Sequence, residues 1–153
     1  MKKFLSLFLL FLILSALLSL QGCVNDDGLD RITESFDSLT QSLGGKVIVF
    51  RPKDADVPKA VISLYGKAQK APDELSLVDY AVIWYSDRLT ALDAAVFRVT
   101  NATDTPSVIK MCRRRAETLR CTTGASVTVS AFGHFVYIYN DELSEFASDL
   151  PRP

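Results

Sequence analysis

Apolar residues fill the chain from Phe4 to Leu20, broken only by Ser6, Ser15 and Ser19, and after Gly28 the pattern becomes periodic. Leu29, Ile32, Phe36, Leu39 and Leu43 recur at alternating three- and four-residue steps, the spacing of one helix face. Asp27 or Asp30 can cap that helix and Gly44-Gly45 can end it. The stripe covers about two heptads where a coiled-coil seam needs about three or four. The helix is therefore expected to pack on its own domain.

Lys46–Arg51 is a short β-prone run closed by Pro52, and Pro58–Tyr65 reads as a short helix stopped by Gly66. Lys67–Glu74, which holds Pro72, reads as a loop. Val78–Tyr85 is apolar at every position but Asp79, as expected of a central strand covered on each side or along most of its length. After a turn at Ser86–Ala91, Leu92–Val99 should return as its antiparallel hairpin partner.

Thr105-Pro106 marks a helix start, with Thr105 as the cap and Pro106 at the first helical position. Its expected buried stripe is Val108, Cys112, Ala116 and Leu119, with Arg113, Arg114 and Arg120 towards solvent and Gly124 as the stop. Ser126–Ala131 alternates valine with small hydroxyls, Phe132-Gly133-His134 turns the chain, and Phe135–Tyr139 pairs back. Asp141–Leu150 forms a last short helix ended by Pro151. Paired strands separated by helices predict an α+β fold, a single antiparallel sheet with helices packed largely on one face.

The apolar run from Phe4 follows Lys2 and Lys3, the arrangement of a secretory leader. Leu20-Gln21-Gly22-Cys23 comes directly after it and resembles the lipobox of bacterial lipoproteins. The resemblance implies that Cys23 gains a diacylglycerol thioether and becomes the new N-terminus. An uncleaved transmembrane helix is the competing reading, but Phe4–Leu20 lies at the lower edge of a bilayer span, about 17 residues. A cysteine placed right after Leu-Gln-Gly favours cleavage. The expected organisation is thus a signal peptide over 1–22, a lipidated cysteine and short tether over 23–28, and one α+β domain over 29–150. Two acyl chains hold a protein stably on a bilayer where one does not, so the domain is expected at the membrane, lipid-anchored on its outer side.

Removing Lys2 and Lys3 from the 17 basic residues leaves 15 against 18 acidic ones, which argues against a nucleic-acid partner. One histidine and three cysteines leave too few ligands for a zinc site of the usual kind, and nothing in the sequence calls for a cofactor. Two further segments, Leu92–Val99 leading into the arginine-rich helix and Gly133–Tyr139, resemble a family of small, uncharacterised lipoproteins of clostridial-type bacteria. That likeness spans roughly Tyr65 to Leu150, and it implies fold and location without an activity.

Few residues carry candidate chemistry. A cysteine–histidine pair would need His134 with Cys112 or Cys121, but Cys112 lies on an apolar stripe and His134 in a turn. The two thiols stand nine residues apart, about 13.5 Å along a continuous helix at 1.5 Å each. A disulfide needs Cα atoms within about 7 Å, so the two are expected to be unjoined. No nucleophile elbow, phosphate loop or zinc-protease motif is present. Arg113, Arg114 and Arg115 form the one dense basic cluster, readable as a solvated helix face or as a contact for anionic headgroups or polymers. The sequence therefore points to a binding or accessory module of the cell envelope, partnered by an envelope protein or anionic polymer. The alternative is an envelope hydrolase with an unrecognised carboxylate site.

Overall fold

Val78–Tyr85 offers apolar side chains to both of its faces, and a strand of that kind is stable only between two covering layers. It lies second in a five-stranded, wholly antiparallel sheet of order β1-β2-β3-β5-β4. In this computed structural model, which describes residues 27–86 and 92–152, the strands are β1 (Lys46–Phe50), β2 (Val78–Tyr85), β3 (Asp93–Val99), β4 (Val127–Phe132) and β5 (Phe135–Asn140). The helices are α1 (Asp27–Leu43), α2 (Lys59–Tyr65), α3 (Thr105–Thr123) and α4 (Ser144–Asp149), with single 3-10 turns at Asp73–Leu77, Ala102–Asp104 and Asp141–Leu143. The expected leader, Cys23 and residues 87–91 of the expected turn between β2 and β3 lie outside the described residues.

The α+β architecture on one antiparallel sheet is as the sequence predicts, but the helices divide between its two faces. Tyr80, Val82 and Trp84 of β2 point to one side, where α1 lays Leu29, Ile32, Phe36 and Leu39, and α4 adds Ala147. Phe36 and Phe146 meet edge to face at 5.1 Å and join these two helices. Ala81 and Ile83 point to the other side, where Tyr65 of α2 and Val108, Met111 and Cys112 of α3 complete the second core. Two hydrophobic sheet faces cannot be served by one helical layer, which is why the expected one-sided packing gives way.

Local chemistry fixes the element ends. Gly44 and Gly45 terminate α1 at φ of 77° and 92°, and the Gly44 carbonyl accepts the Trp84 indole N–H at 2.9 Å. Leu43, expected on the buried stripe, is 38% exposed because the helix ends there. Thr105 is the first helical residue of α3 and not its cap, because the 3-10 turn Ala102–Asp104 leads straight into the helix. Its hydroxyl donates instead to Gly133 O at 3.4 Å. Met111 joins the buried stripe while Ala116 is only half-buried. The last helix is shorter than Asp141–Leu150, since Asp141 accepts hydrogen bonds from the hydroxyls of Ser126, just before β4, and Thr128 of β4 at 2.5 and 2.8 Å within a 3-10 turn.

Gly66 stops α2 where the chain squeezes past its own backbone: a Cβ there would lie 2.4 Å from both Ile62 O and Lys70 O. At Gly124, by contrast, φ is +74° but a Cβ would meet nothing within 4 Å. Gly124→Ala is expected to cost only the conformational penalty, about 1 kcal/mol. Gly66→Ala should cost more, about 2–3 kcal/mol, because two backbone segments must move apart. Urea unfolding of the two variants checks the order, and equal losses would show that the loop after Gly66 yields freely.

Candidate functional site

Three consecutive helical residues are turned about 100° from one another, so Arg113, Arg114 and Arg115 cannot share a face. The structure sends them three ways. Arg113 is exposed beside Glu117 and Arg120 on the side of α3 nearest β4. Arg114 is exposed and its Nη2 pairs with Glu74 Oε1 at 2.9 Å. Arg115 turns inward, and its Nε donates to Asp93 Oδ2 at 2.7 Å, with side-chain exposures of 13% and 2%. The cluster is thus not one basic surface, and only Arg113 is without an ion pair among the described residues.

Asp93 opens β3 on the second-core face, where its backbone N–H donates to Asn140 Oδ1 at 2.7 Å. Burial pushes its carboxyl above the ordinary 3.8, and the pull of Arg115 in the other direction only partly offsets this. Arg115 spends only Nε on this acid, and among the described residues its two terminal nitrogens have no hydrogen-bond partner.

Those nitrogens belong to a residue lining an open cavity of about 600 Å³ bounded by the end of α2, the following loop and α3. The size suits a small molecule, about 300–1,000 Å³. Lys67, Lys70, Arg114 and Arg115 line it on the basic side, Asp73 and Glu74 on the acidic side. Tyr65 lines it too; its ring stacks edge to face on Phe97 at 5.2 Å, while its buried hydroxyl has no hydrogen-bond partner. Burial first, then the nearby Asp93, hold the Tyr65 pKa well above 10, so the hydroxyl keeps its proton and can donate.

Lys67 and Lys70 are placed by a feature that the loop reading missed. They face each other in a two-residue hairpin, Lys67 N to Lys70 O at 3.2 Å and Lys70 N to Lys67 O at 3.0 Å. Its central residues, Ala68 and Gln69, sit at φ of 51° and 64°. Asn-Gly is the usual occupant of such a turn, and a residue with a Cβ carries about 1–2 kcal/mol of strain there.

The thiols stand as the helix geometry requires. α3 runs unbroken through both, Cys112 is buried and free, and Cys121 is exposed and free. Burial pushes the Cys112 thiol far above its ordinary value, and a hydrogen bond to Glu117 raises that of Cys121. His134 is exposed in the β4–β5 turn, with Nδ1 3.2 Å from Val99 O. Among the described residues, no three His, Cys, Asp or Glu side chains gather in a group able to hold a metal ion, and no helix is long and apolar enough to cross a membrane. Cys23 lies outside the described residues. No family model, curated protein or solved structure matches the chain.

The raised Asp93 pKa has a definite sign in stability. The folded chain holds this proton more tightly than the unfolded one, so the contribution of Asp93 is most favourable at acid pH. It declines as pH rises from about 3.8 through the raised folded value, then stays level. Subtracting the unfolding free energy of Asp93→Asn from that of the wild type, measured in urea across this window, should reveal the decline. A difference that grows with pH would mean that Arg115 outweighs burial.

Proposed function

We propose that this protein is a lipid-anchored module on the outer side of a bacterial membrane that holds a small ligand in the cavity beside Tyr65 and Arg115. The location rests on sequence: Lys2-Lys3, the apolar run Phe4–Leu20, Leu20-Gln21-Gly22-Cys23, and the lipoprotein resemblance. Cys23 carries the lipid in this reading, and the tether Val24–Asp26, shorter than the sequence predicts because α1 already begins at Asp27, keeps the domain near the headgroups, within reach of an envelope protein or anionic polymer.

The binding role rests on one observation, an open cavity walled by Arg115, whose terminal nitrogens have no hydrogen-bond partner among the described residues, and by Tyr65, whose own hydroxyl is buried, closed to water and without a partner. An unpaired buried hydroxyl costs about 1–3 kcal/mol, and phenylalanine would fill the same space without that cost. A ligand acceptor reached by a small shift of the cavity wall would account for the hydroxyl. Glu74 on the wall and Asp93 beyond it are both engaged by arginines, which leaves Asp73 as the one acid of the wall without an ion pair among the described residues.

Two measurements test the two halves. Thioether formation needs the thiol, so Cys23→Ser should leave a precursor that keeps its leader and takes up no labelled fatty acid; normal processing would remove the anchor. For the cavity, Tyr65→Phe should stabilise the ligand-free protein by about 1–2 kcal/mol in urea unfolding, the relief of an unsatisfied donor. A loss of stability would mean that the hydroxyl already has a partner, and the binding reading would fall.

A further inference from the structure

We infer that the ligand of this cavity presents an oxyanion, a phosphate or carboxylate group, to Tyr65, Arg115 and the Lys67–Lys70 hairpin. The inference rests on the reading of the cavity as a ligand site and adds the chemical class.

Three observations lead to it. The first is the direction of the hydrogen bonds on offer. The terminal nitrogens of Arg115 are donors without a partner among the described residues, and the Tyr65 hydroxyl, buried and unpaired, becomes a further donor once the wall shifts to admit the ligand. A guanidinium whose Nε is fixed by a carboxylate keeps its two terminal groups in one plane, the geometry that takes up a planar or tetrahedral oxyanion. Asp93 positions Arg115 in this way and leaves its outer edge for the ligand.

The second is the balance of charge. Glu74 is already committed to Arg114, and Asp93 to Arg115. Lys67 and Lys70 line the same cavity, and among the described residues neither has an ion-pair partner. With Asp73 the one remaining acid of the wall, the unspent charge is positive.

The third is the cost of putting the lysines there. The hairpin that sets them side by side holds Ala68 and Gln69 at positive φ, where neither residue rests easily. Two like charges on adjacent strands repel as well. An anion between them and Arg115 relieves that repulsion.

The experiment is a titration of the detergent-solubilised full chain, in a neutral detergent, with inorganic phosphate and separately with acetate, against chloride at matched ionic strength. Phosphate or acetate should raise the unfolding temperature saturably where chloride does not. Amide resonance shifts should gather at Tyr65–Glu74 and Arg114–Thr118. Tyr65→Phe should weaken the binding about fivefold, the worth of one hydrogen bond. Because Arg115 substitutions leave Asp93 buried and unpaired and can unfold the chain, the charge is tested on the exposed pair Lys67→Ala with Lys70→Ala. That double variant should keep the fold and lose both affinity and most of the salt dependence.

Nanodiscs separate the sources of the group. If phosphatidylglycerol nanodiscs compete with added phosphate and phosphatidylcholine nanodiscs do not, the oxyanion is a lipid headgroup; equal phosphate affinity in both assigns a soluble ligand. No thermal response beyond that of chloride, or unchanged affinity in both the Tyr65 and the double lysine variants, overturns the oxyanion. If Tyr65→Phe nevertheless stabilises the free protein, the cavity remains a ligand site for another chemistry. If that variant is destabilised, the cavity reading itself has failed.

Discussion

The central pair of strands has no side to give to water. In β2 and β3 both faces are apolar, and everything larger follows from the need to cover them. One cover is α1 with α4, the other α2 with α3 and the 3-10 turn between α2 and β2. A nineteen-residue helix of about 1.5 Å per residue reaches across the sheet, but a seven-residue one does not. The second cover is therefore built of unequal pieces. The cavity lies where the short α2 ends and the chain must double back before β2 begins.

At the margin of that cover sits the buried pair Asp93–Arg115. Such pairs add little net stability, because desolvating two charges consumes most of their attraction. Its consequence is positional. Asp93 is held at the first residue of β3, with Asn140 at the end of β5 closing on its backbone, so the acid is as rigid as the sheet. A flexible arginine side chain thereby acquires a fixed orientation beside Tyr65, which is itself pinned by Phe97.

Much of this was legible in the sequence because periodicity is a local signal. The stripe of α1, the alternation of β4 and the unbroken apolarity of β2 placed the elements, and that last feature already hinted at two covered faces. Gly124 and the helical spacing of Cys112 and Cys121 gave the full length of α3. Other features depend on neighbours remote in sequence. Thr105 looks like a cap until Gly133 claims its hydroxyl, and Arg115 looks like one of three surface arginines until Asp93 claims its Nε. A signal for the second was present: Arg115 stands three residues after Cys112 and four before Leu119, on the buried stripe, and an acid opens the apolar run of β3. Nothing local marks the Lys67–Lys70 hairpin, because Ala-Gln is not a turn sequence. The missing partner of the Tyr65 hydroxyl can be seen only when every surrounding element is in place.

The single tryptophan of the chain lies on the face opposite the cavity. Trp84 is fully buried beneath α1, and its indole N–H is tied to the carbonyl that ends that helix. Its fluorescence is thus a built-in optical gauge of one event, the seating of α1 on the sheet. Lifting α1 from the sheet would break the indole hydrogen bond and admit water to the ring, shifting the emission to longer wavelength. Occupation of the cavity on the far side of the sheet would leave the ring dry and its colour unchanged, so the two ends of the molecule can be followed separately in one sample.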